Sequence, residues 1–273
     1  MASSVDLDYE KLFGCGSVAQ MELSGTTKVQ FLSVNLAFGF AVTAGAYVCA
    51  GVSGAHLNPA VSVAMYMMRK ITWRMMLVYF VAQFIGAFLG AALVYLLYFD
   101  ALNWHTNGTW TQETAGIFSS YPSEHLSIYN GLTDQVIATS ALIICILAII
   151  DESNMAPPRS LQPFIIGLVV LLVGLAMGFN CGYPINPARD LAPRIFTAIC
   201  GWHEAFSAGG NWWWIPVLGP MVGGVLGTII YLMCIQIHHP LPLREEPQGN
   251  SREEDPPRCY KLVEDEASDQ TNV

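Results

Sequence analysis

The chain has 273 residues, 53% hydrophobic and only 12% charged, about half the charged fraction of an average soluble domain, which argues against a lone water-soluble core. Most of the formal net charge of −9 sits in the first eleven and last thirty residues, so the acidity belongs to the ends and nucleic-acid binding is set aside.

Residues 1–11 are polar and acidic, without the basic start and apolar stretch of a cleavable signal. Leu12 to Met21 is apolar but short, about 15 Å as a helix, against a hydrocarbon layer of about 30 Å. Five later stretches approach the roughly 20 residues that a crossing needs: Phe31–Ala50, Met75–Phe99, Leu132–Ile150, Leu161–Asn180 and Trp212–Ile237. Arg69, Lys70 and Arg74 precede the second of these and Arg159 lies between the third and fourth, which places those loops in the cytosol. The segment 100–130 has no Lys or Arg and carries the sequon Asn107-Gly108-Thr109, so it is read as extracellular, with Asn107 a candidate glycosylation site. Trp212, Trp213 and Trp214 read as an interfacial belt. Threading the chain with these constraints leaves the tail 240–273 in the cytosol, where its acidic, Pro-rich composition reads as disordered. The seven cysteines show no metal-ligand spacing and read as small buried hydrophobes; no metal or cofactor is implied.

One tripeptide recurs inside apolar surroundings: Asn58-Pro59-Ala60 and, 128 residues later, Asn186-Pro187-Ala188. At average residue usage roughly one chain in a thousand would hold a given tripeptide twice. Each copy follows an apolar span and precedes another with glycines four apart, Gly86 and Gly90 in the first half and Gly223 and Gly227 in the second. That spacing lets helices approach closely in lipid. With an odd number of spans per half, the halves lie antiparallel, an inverted repeat of the kind that places a site at the bilayer midplane. Asn suits a helix N-cap and Pro the first helical position, so each motif starts a helix. The apolar runs that follow, Val61–Met68 and Leu191–Thr197, make half-helices of about 12 to 16 Å. Entering from opposite sides, they bring two positive dipole ends together at the centre.

These paired motifs, SGAHLNPA and GYPINPARDLAPR, resemble those of the aquaporin family, and Asp190 after Arg189 resembles its glycerol-conducting branch, the aquaglyceroporins. The resemblance runs from about Phe13 to His239. It implies an all-α polytopic membrane protein, a homotetramer with one pore per subunit, in the cell membrane. The implied permeants are small neutral solutes: glycerol, water and urea. The implied filter is Phe38, Gly174, Tyr183 and Arg189, with Gly174 opening the bore where water-selective relatives have His. Phe38 and Tyr183 would offer an apolar corner to CH groups, and Arg189 fixed donors to hydroxyls. Tyr183 stands where some glycerol-conducting relatives have an aliphatic residue. The resemblance also implies a ladder of carbonyls from Gly54, Ala55, His56, Gly182, Tyr183 and Pro184, with Asn58 and Asn186 donating N–H groups at the centre. Dipole ends and Arg189 would repel protons and cations.

Asp190, in the first turn of the second half-helix, has a structural reading beside its role as a marker of the branch, because an acid there favours the helix dipole. His56, two residues before Asn58, is a candidate pH sensor at the cytosolic mouth. The buried polar residues form no nucleophile, base and orienting group, so enzymatic chemistry is not expected. Nor is ion-coupled transport, given the few intramembrane acids. The chain departs from the family at its start. The repeat offset calls for a first helix near residues 4–22, yet Asp6, Asp8, Glu10 and Lys11 fall in that window. The family's Glu and long apolar run before FGCGSVAQ are missing, so a truncated first helix is expected, with the channel domain spanning 12–239. The rival reading is a shortened, non-conducting isoform that serves as a structural or regulatory subunit.

Overall fold

The structure is a computed structural model that describes residues 9–239. Residues 1–8 and the tail 240–273, with the disorder and cytosolic placement expected of the tail, lie outside the described residues. All regular structure among the described residues is helical. A π-helical stretch Glu10–Cys15 runs on into α1 (Gly16–Leu23), followed by α2 (Phe31–Ser53), α3 (Pro59–Met67), α4 (Trp73–Leu97), α5 (Phe99–Thr106), α6 (Gln112–Ala115), α7 (Ile128–Ile150), α8 (Gln162–Met177), α9 (Pro187–Ile199), α10 (Ala208–Asn211) and α11 (Ile215–Cys234). Four of these helical regions are long and apolar enough to cross a membrane: α2, α4, α7 and the one containing α11. Of the five spans expected from sequence, α8 is the short one. At 16 residues it reaches about 24 Å, and it ends at Met177 rather than Asn180 because Gly178 begins a turn closed by Gly182 N–H donating to its carbonyl.

Local chemistry sets the boundaries. Thr72 opens α4 by accepting from Met75 N–H, and Ser127 opens α7 by accepting from Asn130 N–H, each satisfying one of the orphan donors of a first turn. α2 closes on Gly54 at φ 80°, a left-handed conformation that glycine adopts without steric cost. α7 packs along α11, α2 along α8, and the half-helix α9 against α4. The seam between α7 and α11 depends on missing side chains: a Cβ at Gly223 would lie 2.6 Å from the Val136 carbonyl oxygen and one at Gly227 2.7 Å from that of Ser140. Ser140 Oγ donates across the same seam to Gly223 O at 3.0 Å. Away from the core, Val81, Leu89, Leu93 and Leu96 of α4 and Leu226 and Met233 of α11 are exposed. Apolar surface of this extent is tolerated where the surroundings are lipid.

At the start of the described residues, helical structure runs from Glu10 to Leu23, taking in Glu10 and Lys11 besides the apolar stretch Leu12–Met21. Glu10 and Lys11, grouped by composition with the polar segment, are buried, Lys11 completely. The first helical turns pack against α2 and α4.

The loops at one end also carry structure that composition did not mark. α5 begins at Phe99, just before the segment 100–130, and α6 lies within it; Trp110 stacks on Trp202 at 4.6 Å between ring centroids, with Phe118 and Tyr95 edge-on to Trp202. This aromatic cluster covers the outer end of α9 through Phe196. Asn107 is exposed at the C-cap of α5, in a left-handed conformation.

Candidate functional site

The two NPA motifs meet in the interior. Asn58 and Asn186 are the N-caps of α3 and α9: Asn58 Oδ1 accepts from Ala60 N–H at 2.8 Å, and Asn186 Oδ1 from Ala188 and Arg189 N–H at 3.1 Å. Pro59 and Pro187 occupy the first helical positions, where their lack of N–H is harmless. Each amide then crosses to the other loop, Asn58 Nδ2 donating to Ile185 O and Asn186 Nδ2 to Leu57 O, both at 2.9 Å. Ala60 and Ala188 are fully buried. The missing side chain at Gly224 lets α11 come close to Ala60, since a Cβ there would stand 3.0 Å from Ala60 O.

The loops leading into both half-helices repeat the same unusual backbone. Ala55 and Leu57 have φ of 50° and 55°, and Tyr183 and Ile185, at the same places 128 residues on, have 41° and 35°, with Gly54 and Gly182 also positive. Left-handed non-glycine residues cost of order 1–3 kcal/mol each. The cross-loop bonds from the two asparagines, and Ile185 N–H donating to Gln135 Oε1 at 2.9 Å, hold them in place.

Two cavities flank this junction. One, about 470 Å³, is lined by Gly54, Ala55, His56, Asn58 and Asn186 and opens toward Lys70 and Arg159, the basic loops. The other, about 460 Å³, is lined by Phe38, Gly182, Tyr183 and Arg189, with Glu22 and Glu113 also on its wall. Pro184 lines neither cavity. In the second cavity the Phe38 and Tyr183 rings meet edge to face at 6.1 Å and the Arg189 guanidinium carbon lies 5.1 Å over the Phe38 ring. Arg189 Nη1 is 4.0 Å from Asp190 Oδ2, too far for a hydrogen bond. Together with Tyr183 OH, it is a buried polar atom without a hydrogen-bond partner among the described residues.

Gly174 is not among the residues that line this cavity. A side chain there would run into Asn35 Oδ1 and the Tyr183 ring, so the glycine leaves room for the tyrosine to fold back against α8. Asn35 anchors its amide on Phe31 O at 2.9 Å, and its Oδ1 has no hydrogen-bond partner among the described residues.

His56 lines the first cavity. Its Nδ1 lies 3.0 Å from Ser62 Oγ, which also accepts from Gln83 Nε2 at 3.1 Å, and its ring stands edge-on to Tyr79. Asp190 is fully buried: its carboxylate accepts from Ser120 N–H at 2.7 Å and from Arg194 Nε at 3.0 Å and Nη2 at 2.7 Å, while Arg194 Nη1 donates to Ala205 O. Asp190 and Arg194 together thereby tie α9 to the segments at Ser120 and Ala205. Sequence reasoning left out Arg194, although its position four residues after Asp190 in PARDLAPR was a readable helical pairing. It also left out Glu10, whose Oε2 accepts from Asn186 Nδ2 at 3.0 Å; nothing in the sequence marks that residue as other than part of a charged end.

Apolar helices around two half-helices that meet at their N-termini, with a cavity on each side, define a multi-pass membrane protein of the aquaporin fold. The chain belongs to that family: residues 11–231 match the model of the major intrinsic protein family. It is 47% identical over 230 residues to human aquaporin-10, covering 82% of this chain and 76% of that one, and 44% identical over 256 residues to human aquaporin-9, covering 92% and 86%. Among solved structures it is similar to the aquaglyceroporin from Plasmodium falciparum, with a TM-score of 0.76, 28% identity, and coverage of 86% of this chain and 99% of that one.

Proposed function

We propose that this chain is a passive channel for glycerol and water, and for urea, with its path running from the basic-loop cavity past Asn58 and Asn186 to the cavity at Arg189. The observation that carries the reading is the pairing, on one wall, of an apolar ring, Phe38, with the Arg189 guanidinium, whose Nη1 has no hydrogen-bond partner among the described residues. A polyol presents both kinds of surface at once: CH groups for the ring, and hydroxyl oxygens that accept from the guanidinium. The similarity to an aquaglyceroporin structure supports the same solute class.

In this reading the carbonyls of Gly54, Ala55 and His56, and of Gly182, Tyr183 and Pro184, relay hydroxyls along the path, and the converging dipoles of α3 and α9 with Arg189 turn ions away. The basic loops Arg69–Arg74 and Arg159 face the cytosol of a cell-membrane channel. His239 lies 3.6 Å from Asp151 beside that end, which supports a cytosolic tail. Asn107 faces outward as a glycosylation site, and the exposed apolar faces serve a homotetramer as well as lipid. His56, beside the path, is the candidate proton-responsive group; burial pushes its imidazole down to about 4, so flux that changes between pH 3.5 and 5 in the wild type but not in His56→Gln supports that role, and flux flat in both withdraws it.

The test is glycerol and water permeability of liposomes holding the chain, followed by light scattering. Glycerol uptake faster than in protein-free liposomes supports the channel. Correctly inserted protein without flux, which co-purifies with a conducting aquaporin, supports the non-conducting subunit instead.

A further inference from the structure

The asparagine amides at the junction have a definite hydrogen count. Each carries two N–H donors, and each spends one on the opposite loop, Asn58 on Ile185 O and Asn186 on Leu57 O. The remaining pair is what the junction can offer to a solute. The two sides differ, because Asn186 Nδ2 also donates to Glu10 Oε2 at 3.0 Å. Glu10 is buried and lines the same cavity as Asn58, Leu57, Ile185 and Asn186, so its carboxyl stands in the solute's path.

The position sets burial, which disfavours the charged form, against the N-termini of α3 and α9, whose unpaired N–H groups and dipoles favour it, and against the fields of Lys11 and Arg189. A hydrogen bond from an amide to a carboxylate is roughly twice as strong as one between neutral groups. A neutral hydroxyl therefore competes poorly for the Asn186 donor. An ionised Glu10 also meets the half-charges of about +0.5 at each helix end, which weakens the field that would orient a permeant between the two asparagines.

We propose that Glu10 sets the rate at which neutral solutes cross the junction: its side chain occupies the Asn186 donor, and a permeant hydroxyl passes only by displacing it. The proposal rests on the channel reading above and adds to it a rate-limiting residue from the first helix. Its test compares glycerol permeability of liposomes holding wild type, Glu10→Ala and Glu10→Gln, with insertion and folding checked by protease protection and thermal melting. Glu10→Ala is expected to conduct glycerol about tenfold faster than wild type, the size expected from releasing one hydrogen bond to a charged group. Glu10→Gln, whose amide oxygen still accepts from Asn186 but carries no charge, is expected to fall between the two. Where Glu10→Ala does not insert, Glu10→Ser, short and polar, replaces it with the same expected direction. Equal, non-zero rates in wild type and the short variants, or slower rates in the latter, overturn the proposal and leave the channel reading standing. No flux above protein-free liposomes from any inserted variant overturns the channel reading and the proposal with it.

Discussion

The two halves of the molecule use the same devices with unequal support. In the second half α7 is 23 residues long and lies against α11 along a glycine seam, and its Gln135 reaches in to accept from Ile185 N–H beside Asn186. In the first half the corresponding helix is described only from Tyr9, and what it brings to the junction is an acid, Glu10, bonded to the asparagine of the opposite half. The asparagine caps, prolines and left-handed loop residues are nevertheless repeated position for position. The difference teaches that the pore's backbone geometry is local to each loop and half-helix, whereas what the junction offers a solute depends on the helix behind it.

Several substitutions would break or sharpen that comparison. The largest effect falls on the second half: Arg194→Met leaves the Asp190 carboxylate buried without its guanidinium, and removing one partner of a buried pair costs about 3–5 kcal/mol. A large drop in the melting temperature in detergent is the expected outcome; an unchanged melt would mean that the outer loops are held by the aromatic cluster alone. Next, Gly223→Leu forces α11 off Val136 and Thr139, an overpacking cost of about 1–3 kcal/mol, read in the same melt. Gln135→Leu leaves Ile185 N–H without its acceptor and is expected to destabilise by about 1–3 kcal/mol. It should also raise amide exchange at Ile185, measured by hydrogen–deuterium exchange, without a matching change at Leu57.

The smallest effect concerns the end where the basic loops meet. Burial pushes the Asp151 carboxyl up, but hydrogen bonds from Tyr231 OH and Ser153 N–H, with His239 and Lys70 nearby, bring it below the usual carboxylate range. A lowered folded-state value means stability that is fully present above the unfolded-state value of about 3.9 and is lost as pH falls through the lowered one. The melting temperature of Asp151→Asn should therefore lie slightly below that of wild type at pH 7, solvent screening keeping the effect small, and the gap should narrow as pH falls below the usual carboxylate range. A constant gap across that range would show that the carboxylate does not contribute through its charge.

Much of this arrangement was legible in the sequence, because its signals are local. The Asn-Pro pairs state a cap and a first turn, long apolar runs state spans, and the repeat states how the halves are related. Gly174 is ambiguous in the sequence because its meaning depends on Tyr183: a missing side chain reads equally well as open pore or as space filled by a neighbour, and the packing places the Tyr183 ring and Asn35 Oδ1 against it. Glu10 and Lys11 were assigned to a polar end because charge ordinarily marks exposure. Their burial depends on what α2, α4 and α9 present to them, which no window of sequence contains. The outer aromatic cluster escaped for the same reason, since Trp110 and Trp202 are far apart in sequence and meet only through the fold.

The central claim is that one solute path runs between the halves and passes a wall formed by Phe38, Tyr183 and Arg189. Its most direct test is the glycerol and water permeability of liposomes holding wild type and Gly174→His. An imidazole at position 174 cannot share space with the Tyr183 ring and Asn35 Oδ1, so the tyrosine must move toward the path. The account predicts glycerol flux above that of protein-free liposomes in the wild type, and suppression of glycerol but not of water in the variant. Glycerol flux unaffected by Gly174→His in well-inserted protein would contradict it.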